Sequence, residues 1–202
     1  MKFEVYLKSD KFYWTNNKVI YSIVFFCLVV VLINNGTGII EKNIINNIFM
    51  SILGLAFIAG LILKFIGFTQ IERLNGKLDG YLIFDKDYVQ VRDEVFPIGT
   101  IHKIQISNDD YYGKLVRISR GNFGQALSNG TNNFVVLFLK SNQTKQFQYE
   151  LRNSDDFQKI RETLIDYHLK GKIDFWELAK VLGEESTSET LELAAEIERR
   201  NR

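Results

Sequence analysis

The order of apolar and polar positions divides the chain in two. The run "VIYSIVFFCLVVVLI" from Val19 to Ile33 holds no charge, and "IFMSILGLAFIAGLILKFIGF" from Ile48 to Phe68 holds only Lys64. Weakly polar residues lengthen the first run on both sides, with Tyr13, Trp14 and Asn16 before it and Asn34 to Gly38 after it. Each run then reaches the roughly 20 residues a helix needs to cross a hydrocarbon core. Lys64 stands near the end of its run, where a long side chain reaches back to water. Between the runs lies the turn-rich "NNGTGIIEKNIINN". The pattern predicts a transmembrane helical hairpin over residues 17–68, behind an N-terminal segment of residues 1–16. Two other readings of these runs are weaker. A signal peptide requires a small-x-small cleavage site, and the first run is followed by a second span instead. A buried helix pair in a soluble protein does not need two nearly uncharged stretches so close together.

From Leu74 the period changes to two, the mark of strands with one buried face. "KLDGYLIFD", "YVQVRD", "TIHKIQIS", "KLVRISRG", "FVVLFLK" and "KQFQYEL" read as strands, and a further short strand fits around Phe123 to Leu127. The turns are Asp85-Lys86-Asp87, "VFPIGT", "SNDDYYG" and "SNQT". "GNFGQALSNGTNN" reads as a mobile loop. A helix follows, capped by Asn153 or Ser154, with Phe157, Ile160, Leu164, Ile165 and His168 on one face and Gly171 at its end. The expected sheet domain spans residues 74–171. Residues 172–202 hold a shorter helix, about Asp174 to Leu182, and a polar tail in which Ser186 and Glu189 are spaced as a capping box.

Composition narrows the function classes. The single cysteine, Cys27, excludes an intrachain disulfide and leaves no cysteine-based zinc site. A formal net charge of +1 offers no bulk attraction to nucleic acid. Lys2, Lys8, Lys11 and Lys18 precede the first span; Lys64, Arg73 and Lys77 close the second, and Lys42 beside Glu41 stands between. By the positive-inside rule both termini face the cytoplasm, in a multi-pass protein of the inner (plasma) membrane. Ala56, Gly60 and Gly67 make a small-residue stripe for close helix packing, within the chain or against a partner.

Candidate chemistry is sparse. No metalloprotease, nucleophile-elbow, P-loop or dinucleotide motif occurs, so the chain reads as a non-enzyme without a cofactor. Asp109-Asp110 and Asp155-Asp156 are paired carboxylates, explained by a turn and a helix start. His102 alternates with Ile104 and Ile106, and both it and His168 read as packing residues. Lys114, Arg117 and Arg120 are the best basic candidates, yet alternation places Arg117 on the opposite face from the other two. The loop from Gly121 to Asn133 carries Phe123 and Leu127. These are apolar groups that either anchor a partner or tuck back onto the sheet as a short strand.

A curved antiparallel sheet or barrel of about seven strands closed by a C-terminal helix resembles the pleckstrin-homology (PH) fold, notably in "GYLIFDKDYVQV" and "VFPIGTIHKI". With the hairpin in front, the α+β chain is similar to bacterial membrane-anchored PH-like proteins such as the YcxB-like group. The resemblance implies a cytoplasmic interaction domain at the membrane, binding a protein or another copy of the chain. The alternative is a sensor of a lipid or small molecule. The first hairpin departs from phosphoinositide-binding PH domains: Lys86 and Arg92 stand among Asp79, Asp85, Asp87, Asp93 and Glu94.

Overall fold

The computed structural model describes residues 1–37, 42–116 and 122–201. It divides into two compact units. One comprises Met1–Ser9, Leu74–Lys114 and the chain from Ser128 onward. The other comprises Asp10–Arg73 and Leu115–Leu127.

The first unit is built on a seven-stranded antiparallel sheet. Its strands are β1 (Lys2–Lys8), β2 (Gly76–Phe84), β3 (Tyr88–Val91), β4 (Glu94–Pro97), β5 (Ile101–Ser107), β8 (Asn133–Leu139) and β9 (Thr144–Tyr149), in the order β4-β3-β2-β1-β9-β8-β5. Two short strands, β6 (Tyr112–Leu115) and β7 (Leu127–Asn129), pair separately. Residues 2–8, which the sequence reading leaves in an N-terminal segment, form the central strand. Phe3, Val5 and Tyr6 are buried there. The Phe3 ring stacks on Phe157 at 4.8 Å and meets Tyr149 at 5.5 Å and Phe84 at 6.0 Å. β1 pairs antiparallel with β2, ending at Lys8 opposite Gly76, and the Ser9 N–H donates to the Asn75 carbonyl at 2.9 Å. The segment from Asp10 to Leu74 therefore stands where a β-hairpin would have its turn.

The sheet is not closed, contrary to the barrel expected from sequence. β4 and β5 are its two edges, joined through a 3₁₀ turn at Ile98–Thr100. The edge of β5 is covered by chain further on. Its Ile104 N–H donates to the Lys172 carbonyl at 2.8 Å, and its Ile106 N–H donates to Glu177 Oε1 at 3.1 Å. Asn108 Nδ2 donates to the Val181 carbonyl at 2.7 Å. An uncovered edge would leave these donors open to another strand.

The closing helix begins differently from the sequence expectation. A 3₁₀ turn (Asp156–Ile160) leads into α3 (Arg161–Leu169), and neither is capped by a side chain of Asn153 or Ser154. The polarity is reversed: the Asn153 N–H donates to Asp156 Oδ2 at 3.0 Å. Phe157, Ile160, Leu164 and Ile165 are buried as the spacing predicts. Tyr167 joins them, and its hydroxyl donates to the Asp85 carbonyl at 2.5 Å, tying the helix to the β2–β3 turn. Gly171, in the left-handed conformation, follows the end of α3. α4 (Phe175–Leu182) stops at left-handed Gly183. α5 (Thr187–Arg200) starts at the Ser186–Glu189 capping box and buries Leu193 fully in the core. Arg161 pairs with Glu184 and, at 2.8 Å, with Glu196, which holds the polar tail against α3.

The second unit contains α1 (Asn16–Thr37) and α2 (Lys42–Gly67), packed against each other. Both are long and apolar enough to cross a membrane, α2 over Asn47–Gly67. Only 17% and 11% of their most apolar windows are buried, the reverse of a soluble core helix. Ile20, Cys27 and Ala56 are buried, while Phe25, Phe57 and Phe65 are largely exposed.

Candidate functional site

Thr15 opens α1: its Oγ1 accepts the Lys18 N–H at 3.2 Å and its carbonyl accepts the Val19 N–H at 3.0 Å. The next residues, Asn16 and Asn17, clasp the segment 122–124. Asn17 uses both ends of its carboxamide, Nδ2 donating to Asn122 Oδ1 at 2.9 Å and Oδ1 accepting the Phe123 N–H at 2.6 Å. Asn16 Nδ2 donates to the Phe123 carbonyl at 3.2 Å. Asn122 Oδ1 also accepts the Gly124 N–H at 2.9 Å. The segment then runs along the end of α2. The Ala126 N–H donates to the Gly67 carbonyl at 2.9 Å, and the Leu127 N–H donates to the Gln70 carbonyl at 3.1 Å.

This clasp explains the small residues of α2. A Cβ on Gly60 would lie 2.9 Å from the Phe123 ring, and one on Gly67 would lie 2.5 Å from the Gly124 carbonyl oxygen. Two of the three positions in the small-residue stripe thus make room for a loop of the same chain. Phe123 is half-buried, with its ring 5.9 Å from Tyr21. Leu127 is half-buried and opens the short strand β7.

Beside the clasp is a cleft of about 320 Å³. Tyr13 to Asn17 form one wall, Glu72 and Arg73 another, and Asn122, Gly124 and Gln125 the third. It lies at the end of the helical pair where α1 begins and α2 finishes. Trp14 and Phe12 are 59% and 70% exposed at the same end, and Lys18 Nζ sits 4.3 Å from the Phe12 ring centre.

Of the basic candidates, only Lys114 falls among the described residues. Lys114 Nζ donates to the Asp109 carbonyl and lies 5.7 Å from the Tyr111 ring centre. Arg117 and Arg120 lie outside the described residues. In the first hairpin, Arg92 pairs with Asp79 at 3.1 Å, and Lys77 pairs with the same carboxylate at 2.9 Å. The hydrogen bond from Lys77, then the nearby Arg92 charge, holds the Asp79 carboxyl below its ordinary range.

One carboxylate of each pair, Asp110 and Asp156, accepts backbone N–H groups, while Asp109 pairs with Lys180 at 3.3 Å. Asp110 Oδ2 accepts from the Ser128 hydroxyl at 2.7 Å and from the Asn132 N–H at 3.0 Å. Asn133, fully buried, donates to the carbonyls of Asp110 and Gly130 and accepts the Asp110 N–H. The second half of the expected mobile loop is thus a knot of side chain to main chain bonds. Asp156, 3% exposed, takes the Asn153 N–H and Lys159 at 2.5 Å. His168 Nδ1 donates to the Ile173 carbonyl at 2.9 Å. His102 is exposed, because a register irregularity between Ile101 and Lys103 turns it away from the face that Ile104 and Ile106 bury.

Asn16, Asn17 and Asn122, which organise the clasp, carry no sequence signal beyond asparagine at a helix start and in a loop. The strand β1 did have one: Phe3, Val5 and Leu7 alternate with charged or polar residues in "KFEVYLK". No family model matches the chain, and neither a curated protein nor a solved structure matches it.

Proposed function

We propose that the chain is an integral membrane protein that crosses the inner (plasma) membrane twice and carries a PH-like, non-enzymatic interaction module on the cytoplasmic face. The observation that carries this reading is the outward apolar surface of α1 and α2. Phe25, Phe26, Leu32, Phe57 and Phe65 are 63–74% exposed. Burying such a side chain is worth about 1.5–3 kcal/mol each, and lipid supplies that burial where protein does not. The lysines and arginines flanking both spans orient the termini inward.

The strand order supports the PH-like part. Two antiparallel meanders, β4-β3-β2-β1 and β9-β8-β5, meet between β1 and β9, and α3 covers their core with Leu164, Ile165 and Tyr167. Asp110, Asp156 and His168 are all engaged with the backbone, which favours binding over catalysis. The module's partner is a protein or another copy of this chain. A second reading, recognition of a lipid at the membrane surface, is favoured by the cleft at the start of α1.

Topology is tested in a Cys27→Ala background with single cysteines at Asp10, Gly38 or Gln105. An impermeant thiol reagent added to intact cells labels only the Gly38 probe if the reading holds. Labelling of the Gln105 probe from outside overturns it. Crosslinking in membranes followed by a pull-down then separates self-association from capture of a second protein.

A further inference from the structure

We propose that the segment 122–124 is a third membrane contact, a loop whose Phe123 ring enters the acyl-chain region beside α1 and α2 and touches lipid there. The inference rests on the membrane reading and goes beyond it, because it names a further part of the chain that meets the bilayer and the zone it meets. Three observations within the helical unit lead to it.

The first is depth. The apolar stretch of α2, Asn47–Gly67, is about 31 Å long, which matches a hydrocarbon core of about 30 Å. Gly67 then stands at the boundary of that core, and the Gly124 carbonyl oxygen lies beside it, 2.5 Å from where a Cβ would be. Gly60 stands about two turns earlier, roughly 10 Å farther in. The Phe123 ring lies against Gly60, 2.9 Å from the position of a Cβ. α1 gives an independent reading. Tyr21, whose ring centre is 5.9 Å from that of Phe123, stands more than a turn beyond Asn16, about 7 Å in. Both helices put the loop backbone at the boundary and its ring inside.

The second is the fate of the backbone polar groups. Outside a helix, such groups are tolerated at membrane depth only where protein partners take them. The Phe123 N–H donates to Asn17 Oδ1 at 2.6 Å, and the Phe123 carbonyl accepts from Asn16 Nδ2 at 3.2 Å. The Gly124 N–H donates to Asn122 Oδ1 at 2.9 Å, and the Ala126 N–H donates to the Gly67 carbonyl at 2.9 Å. In water, solvent would serve these groups and the carboxamides would add little. Where water is scarce, each bond is needed.

The third is the ring itself. Phe123 is the one apolar side chain from Asn122 to Gln125. It is half-buried, seated against Gly60 and Tyr21 over part of its surface and open over the rest. Phe57 and Leu61, on either side of Gly60 along α2, are exposed. A ring that makes no hydrogen bonds, open at this depth, suits acyl chains and not headgroups.

The full-length chain is tested in a Trp14→Phe, Trp176→Phe background, with a single tryptophan restored as Phe123→Trp or, as a mid-span reference, Phe57→Trp. Each variant is reconstituted into phosphatidylcholine vesicles, and insertion is scored by flotation and resistance to carbonate extraction. Two quenchers are read: phosphatidylcholine brominated on its acyl chains, and aqueous iodide. The expected result at position 123 is lipid quenching at least half as strong as at position 57, with iodide quenching at least threefold below that of free tryptophan in the same buffer. Tryptophan is larger than phenylalanine and the seat at Gly60 is close, so 4-fluorophenylalanine at position 123 gives a second reading without added bulk. Its fluorine resonance should be broadened more by dissolved oxygen, which concentrates in lipid, than by a water-soluble gadolinium chelate. Access of iodide or gadolinium at position 123, with no quenching by brominated lipid, puts the loop in water. That overturns this inference and leaves the membrane reading standing. Protection from both quenchers also overturns it, because the ring is then enclosed by protein. Absence of lipid quenching at both positions, or failure to float with vesicles, overturns both.

Discussion

The two units of this chain treat apolar side chains in opposite ways. In the sheet unit, Leu82, Val89, Ile101, Ile104, Val135, Leu137, Leu164 and Leu178 are fully buried. In the helical unit, phenylalanines and leucines of the same size point outward, and the buried positions include Cys27, Asn34 and Ala56. Under the proposed membrane reading, the two units face different solvents. Water drives apolar groups inward. Lipid removes that drive and leaves close packing of small residues to hold helices together. The same contrast shows in the glycines: Gly60 and Gly67 are useful because a neighbour approaches them, whereas Gly171 and Gly183 serve backbone conformation with open space around them.

The strongest way to break the comparison is to separate the units. The Ser9 N–H already bonds the Asn75 carbonyl, so the ends of the helical insertion lie side by side in the sheet. Replacing residues 10–73 with a short Asn-Gly turn should leave a water-soluble, cooperatively folding sheet unit. A fragment of residues 70–202 should not fold, because it lacks β1 and with it Phe3 and Val5 at the centre of the core. Circular dichroism and amide dispersion in NMR spectra would distinguish the two. A folded 70–202 fragment would show that β1 is dispensable and that the division into units is wrong.

A smaller effect compares equal truncations in the two units. Leu164→Ala removes a fully buried side chain between helix and sheet and should cost about 2–5 kcal/mol. Phe65→Ala removes a side chain 74% exposed and should cost under about 0.5 kcal/mol in detergent. Denaturant titration of the detergent-solubilised chain measures both. Similar costs would mean that Phe65 is covered by protein in the native assembly.

Legibility followed the same division. The two long apolar helices were readable because length and absence of charge are one-dimensional properties. Strands β2, β3, β5, β8 and β9 were readable as apolar or alternating runs between marked turns, whereas β4 lies in the stretch "VFPIGT" that reads as a turn, and of "KLVRISRG" only Lys114 and Leu115 stand in a described strand, β6, outside the seven-stranded sheet. β1 was overlooked although "KFEVYLK" alternates, since a strand isolated from its sheet by two long helices looks like a flanking segment. The clasp at Asn16, Asn17 and Asn122 was not legible at all. It depends on partners more than 100 positions apart, and asparagine in a loop is usually explained by the turn itself. The exposure of His102 was hidden by an irregularity in register, which alternation cannot register because it assumes an unbroken period. Gly99 lies in the 3₁₀ turn Ile98–Thr100 as the turn reading expects, but Val95 to Pro97 pair with β3 as strand β4, and the capping of α3 was assigned to the wrong partner because Asp156 reaches backward to Asn153.

A third contrast lies within the sheet unit, at the knot where the chain re-enters it from the helical unit. Gly130 has φ of +73°, and a Cβ there would lie 2.4 Å from the Leu151 carbonyl oxygen. Gly171 has φ of +68° with nothing within 4 Å. Gly171→Ala should cost about 1–2 kcal/mol from conformation alone. Gly130→Ala should cost clearly more, because backbone must also move. Equal losses in a thermal melt would show that the knot around Asn133 is pliable.

The smallest expected effects concern pH, and they too belong to the sheet unit, since neither Asn16–Thr37 nor Asn47–Gly67 contains a carboxylate. Two carboxylates of the sheet unit should respond with opposite sign. Burial pushes the Asp156 carboxyl up, but hydrogen bonds from Lys159 and Asn153 outweigh it and hold the carboxyl below its ordinary range. The folded state thus binds its proton more weakly than the unfolded state. Its contribution is present above the unfolded carboxylate range and is lost as pH falls toward the lowered folded value. Glu177 is pushed up by burial, against the partial relief from the Ile106 N–H and Lys103. Its contribution is present below the unfolded carboxylate range and is lost as pH rises through the raised folded value. Asp156→Asn should therefore flatten the acid side of the stability profile, and Glu177→Gln should flatten the rise of that loss toward neutral pH. Each change should be about 1 kcal/mol or less, because Lys159 and Lys103 are partly exposed and screened. Denaturant midpoints of the full chain between about pH 3 and 7 would read both slopes. A pair of variants that shift the profile in the same direction would show that one of the two carboxylates is not held as described.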